Sequence, residues 1–138
     1  MAQAGYSGTP LPQKLGIKDN HAVALLGAPR GFELGTLPTT ARLQTGLRGK
    51  TPLDVIVVFV KQKSNLVAQL DACRPRMQQA GGLWIAWPKK ASGVATDIVE
   101  QTIRDVALPT GLVDNKVCAI DDTWSGLRLV IRLENRTK

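Results

Sequence analysis

Three short segments carry side chains able to hold a ligand. Gly27-Ala28-Pro29-Arg30-Gly31 offers two glycines that permit a tight turn and a guanidinium that could meet an anion. Trp87-Pro88-Lys89-Lys90 sets two ammonium groups beside an indole, a pattern suited to a phosphate or an acidic peptide. Asp121-Asp122 with Trp124-Ser125-Gly126 supplies paired carboxylates next to an aromatic ring. Adjacent carboxylates seldom aim at one ion, so the stronger reading there is turn chemistry, with Asp accepting backbone N–H groups. The candidate ligand-binding residues are therefore Gly27, Arg30, Gly31, Trp87, Lys89, Lys90, Asp122 and Trp124.

Other chemistries find little support. His21 is the only histidine, which excludes a zinc site built on two or three imidazoles. Ser7, Ser64, Ser92 and Ser125 all lie outside a G-x-S-x-G elbow, and the Gly27–Gly31 segment is not a P-loop. Cys73 and Cys118 are isolated, and neither belongs to a C-x-x-C pair, so both read as small packed hydrophobes. No catalytic or metal-binding residue is assigned, and the residues name no cofactor.

These segments need elements to position them. His21–Gly27 is a short apolar run that reads as an interior strand. Leu53–Val60 is rich in β-branched residues and lacks polar alternation, which predicts a central strand covered on both faces. Leu83–Trp87 predicts a third strand after Gly81-Gly82. A helix capped by Ser64 carries Leu66, Leu70, Cys73 and Met77 at helical spacing, with a kink or a second short helix at Pro75. A second helix is expected from Asp97 as N-cap with Glu100 at N3. Lys116–Ile120 and Leu127–Leu133 read as a hairpin around Asp121–Gly126. Residues 32–37 suggest a helical turn, and residues 41–47 a short extended piece. Near the start, Thr9 caps a short helix with Pro10 at N1 and Gly16 beyond its end.

The order predicts one α/β domain over residues 21–133, a three-layer Rossmann-like mixed sheet of three parallel strands plus a C-terminal antiparallel hairpin. Residues 1–20 are expected to pack on this body as an extension, and residues 134–138 to fray. If the first three strands are parallel, the loops after them share one edge, where Arg30 and Lys89 meet.

Bulk properties agree with a small domain. The chain has 138 residues, 43% of them apolar, and a net charge of +7. No apolar run is long enough to span a membrane as a helix, and the N-terminus lacks a signal-peptide pattern, so a cytoplasmic location is expected. The positive excess suits an acidic protein segment, a small anionic ligand or, less well, nucleic acid. A hairpin edge could also pair with a second copy of the chain.

Two resemblances add to this reading. Gly82-Leu83-Trp84-Ile85-Ala86-Trp87-Pro88-Lys89-Lys90, Thr96-Asp97-Ile98, Gly111-Leu112-Val113-Asp114 and Asp122–Val130, with Gly5-Tyr6-Ser7-Gly8-Thr9-Pro10-Leu11, resemble a small uncharacterised bacterial family labelled domain of unknown function 3052. That family supplies no activity to carry over. Residues 53–133 are also similar in layout to the C-terminal half of class I methyltransferases. Such enzymes hold S-adenosylmethionine with a GxGxG turn after the first strand and an acidic residue ending the second. Here Gly27 and Gly31 are differently spaced, no acidic strand end follows, and the chain is shorter by roughly two strand–helix units.

The leading expectation is a non-enzymatic module that binds an acidic segment or small anion. The alternatives are a reduced S-adenosylmethionine-dependent methyltransferase-like protein and a nucleic-acid accessory protein.

Overall fold

A computed structural model describes residues 9–136. Along the chain come helix α1 (Leu11–Lys14), strands β1 (Ala22–Leu26), β2 (Arg42–Thr45) and β3 (Leu53–Phe59), and helix α2 (Lys63–Cys73). Strand β4 (Met77–Pro88), helix α3 (Glu100–Ala107) and strands β5 (Leu112–Ala119) and β6 (Trp124–Ile131) follow. The strands form one sheet in the order β2-β1-β3-β4-β6-β5. β1 pairs in parallel with β2 and β3, and β3 with β4, whereas β6 is antiparallel to both β4 and β5. β5 therefore runs the same way as β1 to β4, and β6 is the reversed strand wedged between. The expected mixed α/β sheet is present, with the piece at 42–45 added as a parallel edge strand.

Strand alternation sorts the apolar side chains into two cores. Ile56 and Val58 of β3, with Leu83 and Ile85 of β4, face Leu66, Leu70, Ile103 and Ala107 of α2 and α3. Val55, Val57 and Phe59, with Trp84, face the opposite way, toward Leu15, Ile17 and Leu34. Among the described residues no long helix covers this second face. The segment around α1 and the β1–β2 connection do so instead, and the buried Trp84 Nε1 donates to the Leu15 carbonyl at 3.0 Å. The helical turn expected over residues 32–37 is absent. Phe32, Leu34 and Leu37 lie on irregular chain whose side chains complete this core.

Helix starts differ from their sequence signals because tertiary contacts supply the caps. α2 begins at Lys63, so Ser64 lies inside it; the Lys63 N–H donates to Asp97 Oδ1 at 2.7 Å. With Asp97 engaged there, α3 starts later, at Glu100, and the Val99 N–H donates to Thr102 Oγ1 at 3.1 Å. Pro10, without a side-chain cap, takes the position before α1 where Thr9 was expected. A 3-10 turn at Arg74–Arg76 contains Pro75, as the proline suggested.

β4 begins six residues before its expected start. Met77 leaves the helical stripe and pairs with Leu53, while the next pairing joins Val55 to Gly82, so residues 78–81 bulge. A Cβ on Gly81 would stand 2.9 Å from the Asp54 carbonyl, so the doublet read as a terminator is a place of close backbone approach. Leu133–Asn135 form a 3-10 turn where fraying was expected, while residues 137–138 and the 1–8 part of the extension lie outside the described residues. No described helix is long and apolar enough to cross a membrane.

Arg76 ties the β2–β3 connection to the sheet. Its guanidinium donates to the Leu47 carbonyl, to Thr51 O at 2.8 Å and to Arg48 O at 3.3 Å. Arg76→Ala should lower unfolding stability by about 2 kcal/mol, read from the urea midpoint, and Arg76→Lys should recover only part because one ammonium cannot reproduce the fork.

Candidate functional site

Because β1, β3, β4 and β5 are parallel, their exits share the carboxyl edge with the start of β6, the edge at which open α/β sheets bind ligands. A cavity of about 810 Å³ opens there. Gly27 and Pro29 after β1 form one wall, Lys61 and Gln62 between β3 and α2 with Asn65 in the first turn of α2 another, and Thr96, Asp97 and Trp124 a third.

Short-range bonds fix these walls. Gly27 has φ +69°, and a Cβ there would stand 3.0 Å from the Phe59 carbonyl, so the β1 exit can lie this close to β3 only as glycine. The Lys61 carbonyl accepts Thr96 Oγ1–H at 2.6 Å and the Asp97 N–H at 3.3 Å. Together with the Asp97–Lys63 bond, this folds the loop before α3 across the start of α2. Asp121 Oδ1 accepts the N–H groups of Thr123 and Trp124 at 2.8 and 2.9 Å, as turn chemistry requires. The Lys89 N–H joins the same turn through the Thr123 carbonyl at 2.7 Å. Trp124 and Phe59 meet edge to face at 5.0 Å, and Phe32 packs on Phe59 at 4.9 Å.

The residues singled out from sequence divide into groups. Gly27 and Trp124 line the cavity. Arg30, Gly31, Lys89, Lys90 and Asp122 lie on loops of the same edge but not in its wall. Trp87 is only 7% exposed and belongs to the helix-side core. The segments quoted for the family resemblance are sheet neighbours: Trp87 pairs with Ser125 and Pro88 with Trp124. Sequence reasoning passed over Lys61, Gln62 and Asn65. The available signal was positional, since Lys61 follows the clearest parallel strand as Gly27 follows the first.

Lys61 and Asp97 give the lining one positive and one negative side chain, and Asp97 already serves the positive end of α2. This arrangement can bind and orient. The other groups with reactive potential lie elsewhere. His21 Nδ1 accepts the Lys18 N–H at the amino end of β1. Cys73 is buried in the helix-side core, where burial raises its thiol to about 12 against a smaller opposing pull from Arg76. Cys118 is half-buried, and burial raises its thiol despite Lys14 and Lys116 nearby.

No family model and no curated protein matches the sequence. Among solved structures, the chain is similar to an S-adenosylmethionine-dependent methyltransferase from Aquifex aeolicus, at 12% identity and TM-score 0.58, over 86% of this chain and 87% of that one. A TehB-like S-adenosylmethionine-dependent methyltransferase from Corynebacterium glutamicum gives 12% identity and TM-score 0.58, over 94% and 91%. Aeropyrum pernix fibrillarin, solved with natively bound S-adenosyl-L-methionine, gives 13% and 0.56, over 91% and 70%. At these identities the likeness is one of fold: a mixed α/β, Rossmann-like sheet of the methyltransferase kind.

Two outcomes test this description. Asp97→Ala removes a cap and loosens the loop before α3, and should cost about 1 kcal/mol in chemical denaturation. In thiol labelling, Cys118 should react well before Cys73, whose modification should follow unfolding. Since the folded Cys73 thiol ionises near 12 and the unfolded one near 9, its contribution to stability is complete below pH 9 and is lost as pH rises toward 12.

Proposed function

We propose that this chain is a reduced methyltransferase-like protein that binds a small ligand at the carboxyl edge of its sheet without transferring a methyl group. The observation that carries this reading is the cavity between Gly27, Lys61 and Trp124, at the ligand-binding edge of a methyltransferase-like sheet. The fold likeness supports the methyltransferase-like alternative over a free-standing anion module.

The residues do not fit S-adenosylmethionine as that resemblance implies. A carboxylate would be needed where the second strand ends, to accept the ribose hydroxyls. β2 instead ends at Gln44-Thr45, followed by Gly46. The Gln44 Nε2 donates at 2.9 Å to both the Gly46 and Arg48 carbonyls, closing the turn on itself. The fold is therefore kept and the donor grip is not, so no methyl-transfer step is derived.

What the cavity offers instead is one ammonium, two amide side chains and the ring of Trp124, while the one carboxylate, Asp97, is already engaged by the Lys63 N–H. These suit a small molecule with an apolar ring and one anionic group, and Arg30, Lys89 and Lys90 on the surrounding loops favour the same sign of charge. Isothermal titration with S-adenosylmethionine and S-adenosylhomocysteine should give no saturable heat. Benzoate, used as a probe in amide NMR, should shift Gly27, Lys61, Asn65 and the Trp124 indole N–H, and Lys61→Ala should weaken that response about 10-fold. Saturable binding of either methionine compound, or benzoate shifts that avoid these residues, would overturn the reading.

A further inference from the structure

A second cavity, of about 590 Å³, lies toward the amino ends of β1 and β3, away from the edge just described. Its charge is one-sided. Lys14 from α1, Lys18 from the following loop, Lys116 from β5 and Arg128 from β6 line it, with His21, against the single carboxylate of Asp54. The Asp54 Oδ2 already accepts the Ala22 N–H at 2.8 Å.

Arg128 shows how this cluster is built. It sits directly opposite Lys116 in the antiparallel ladder, an arrangement of like charges that destabilises a sheet. A Cβ on Gly82 would collide with the Arg128 guanidinium, so the second glycine of the doublet makes the room in which that group lies against β4. The guanidinium is half-buried and has no hydrogen bond or ion pair among the described residues. Burial, and secondarily the charge of Arg136, lowers its pKa, yet an arginine stays protonated. Among the described residues no carboxylate pairs with this partly desolvated cation, and cations line the cavity beside it.

The neighbouring groups are held as donors. Lys14 Nζ donates to the Ala119 carbonyl at 2.9 Å, and Lys116 Nζ to the Lys14 carbonyl at 3.2 Å, so backbone contacts hold both stems. An ammonium carries three donors. His21 Nδ1 accepts the Lys18 N–H at 3.1 Å, which leaves Nε2 to carry the hydrogen of the neutral ring.

From this geometry we propose that the amino-edge cavity is a binding site for a small phosphate-bearing anion, with Arg128 and Lys116 as its principal contacts. A planar guanidinium matches phosphate oxygens in a fork, and the lysines add point charges around it. The site is independent of the carboxyl-edge cavity, whose lining carries balanced charge.

Thermal unfolding of the full chain in inorganic pyrophosphate, against sodium chloride of equal ionic strength, tests the proposal. Pyrophosphate should raise Tm saturably by about 5 °C, and chloride should not. Arg128→Gln should weaken the apparent affinity at least about 10-fold. Lys116→Gln, at an exposed position, should do the same, and Lys61→Ala should leave the response unchanged. Equal stabilisation by chloride would reduce the effect to screening and overturn the proposal. So would a response lost in Lys61→Ala but kept in both other variants. Binding of single-stranded RNA with no response to pyrophosphate would also overturn it, in favour of an extended basic face.

Discussion

The burial of β3 on both faces is the constraint from which the rest follows. A strand whose Leu, Val, Ile and Phe side chains are buried on both faces needs a cover above and below, and the described residues form only two helices of eight or more residues. Both lie on one face. The other is closed by a four-residue helix, an irregular connection and the bond from the Trp84 indole to the Leu15 carbonyl. The N-terminal segment is thus part of the core, and its Leu15 and Ile17 are as buried as strand residues.

The same constraint makes the two edges of the sheet unlike. Parallel β1, β3 and β4 send their exits to one side, where short polar loops bond to one another and leave a cavity of balanced charge. At the other end the chain must enter the sheet through α1, the bulge of β4 and the middle of the β5–β6 ladder. The side chains left facing that space are basic, and the glycine doublet needed for the bulge also makes room for Arg128.

The sheet has the layout of methyltransferases known to use S-adenosylmethionine, yet the end of β2 is closed by its own glutamine. Scaffolds persist through packing, which tolerates substitution if volume and patterning are kept, whereas a ligand grip depends on single polar side chains. Likeness of fold therefore locates the edge to examine, and the residues on it decide what can bind.

Much of the architecture was legible because it rests on local pattern. The β-branched run at 53–60, polar only at Asp54, announced a central strand, Pro75 a break in the helix, and Asp121 with Gly126 a turn. The parallel order placed the Arg30 and Lys89 segments on one edge. What the sequence could not show depends on partners distant in the chain. Asp97 looked like the cap of its own helix and instead caps one that starts 34 residues earlier. Gly81-Gly82 looked like an ending and lies inside a strand, because the reason for each glycine is an atom on a neighbouring strand. Charge was legible as a total of +7 but not as a place. Only the pairing of β5 with β6, and the docking of α1 against β5, gathered Lys14, Lys116 and Arg128 around one cavity, since side chains a hundred residues apart become neighbours only when the sheet closes.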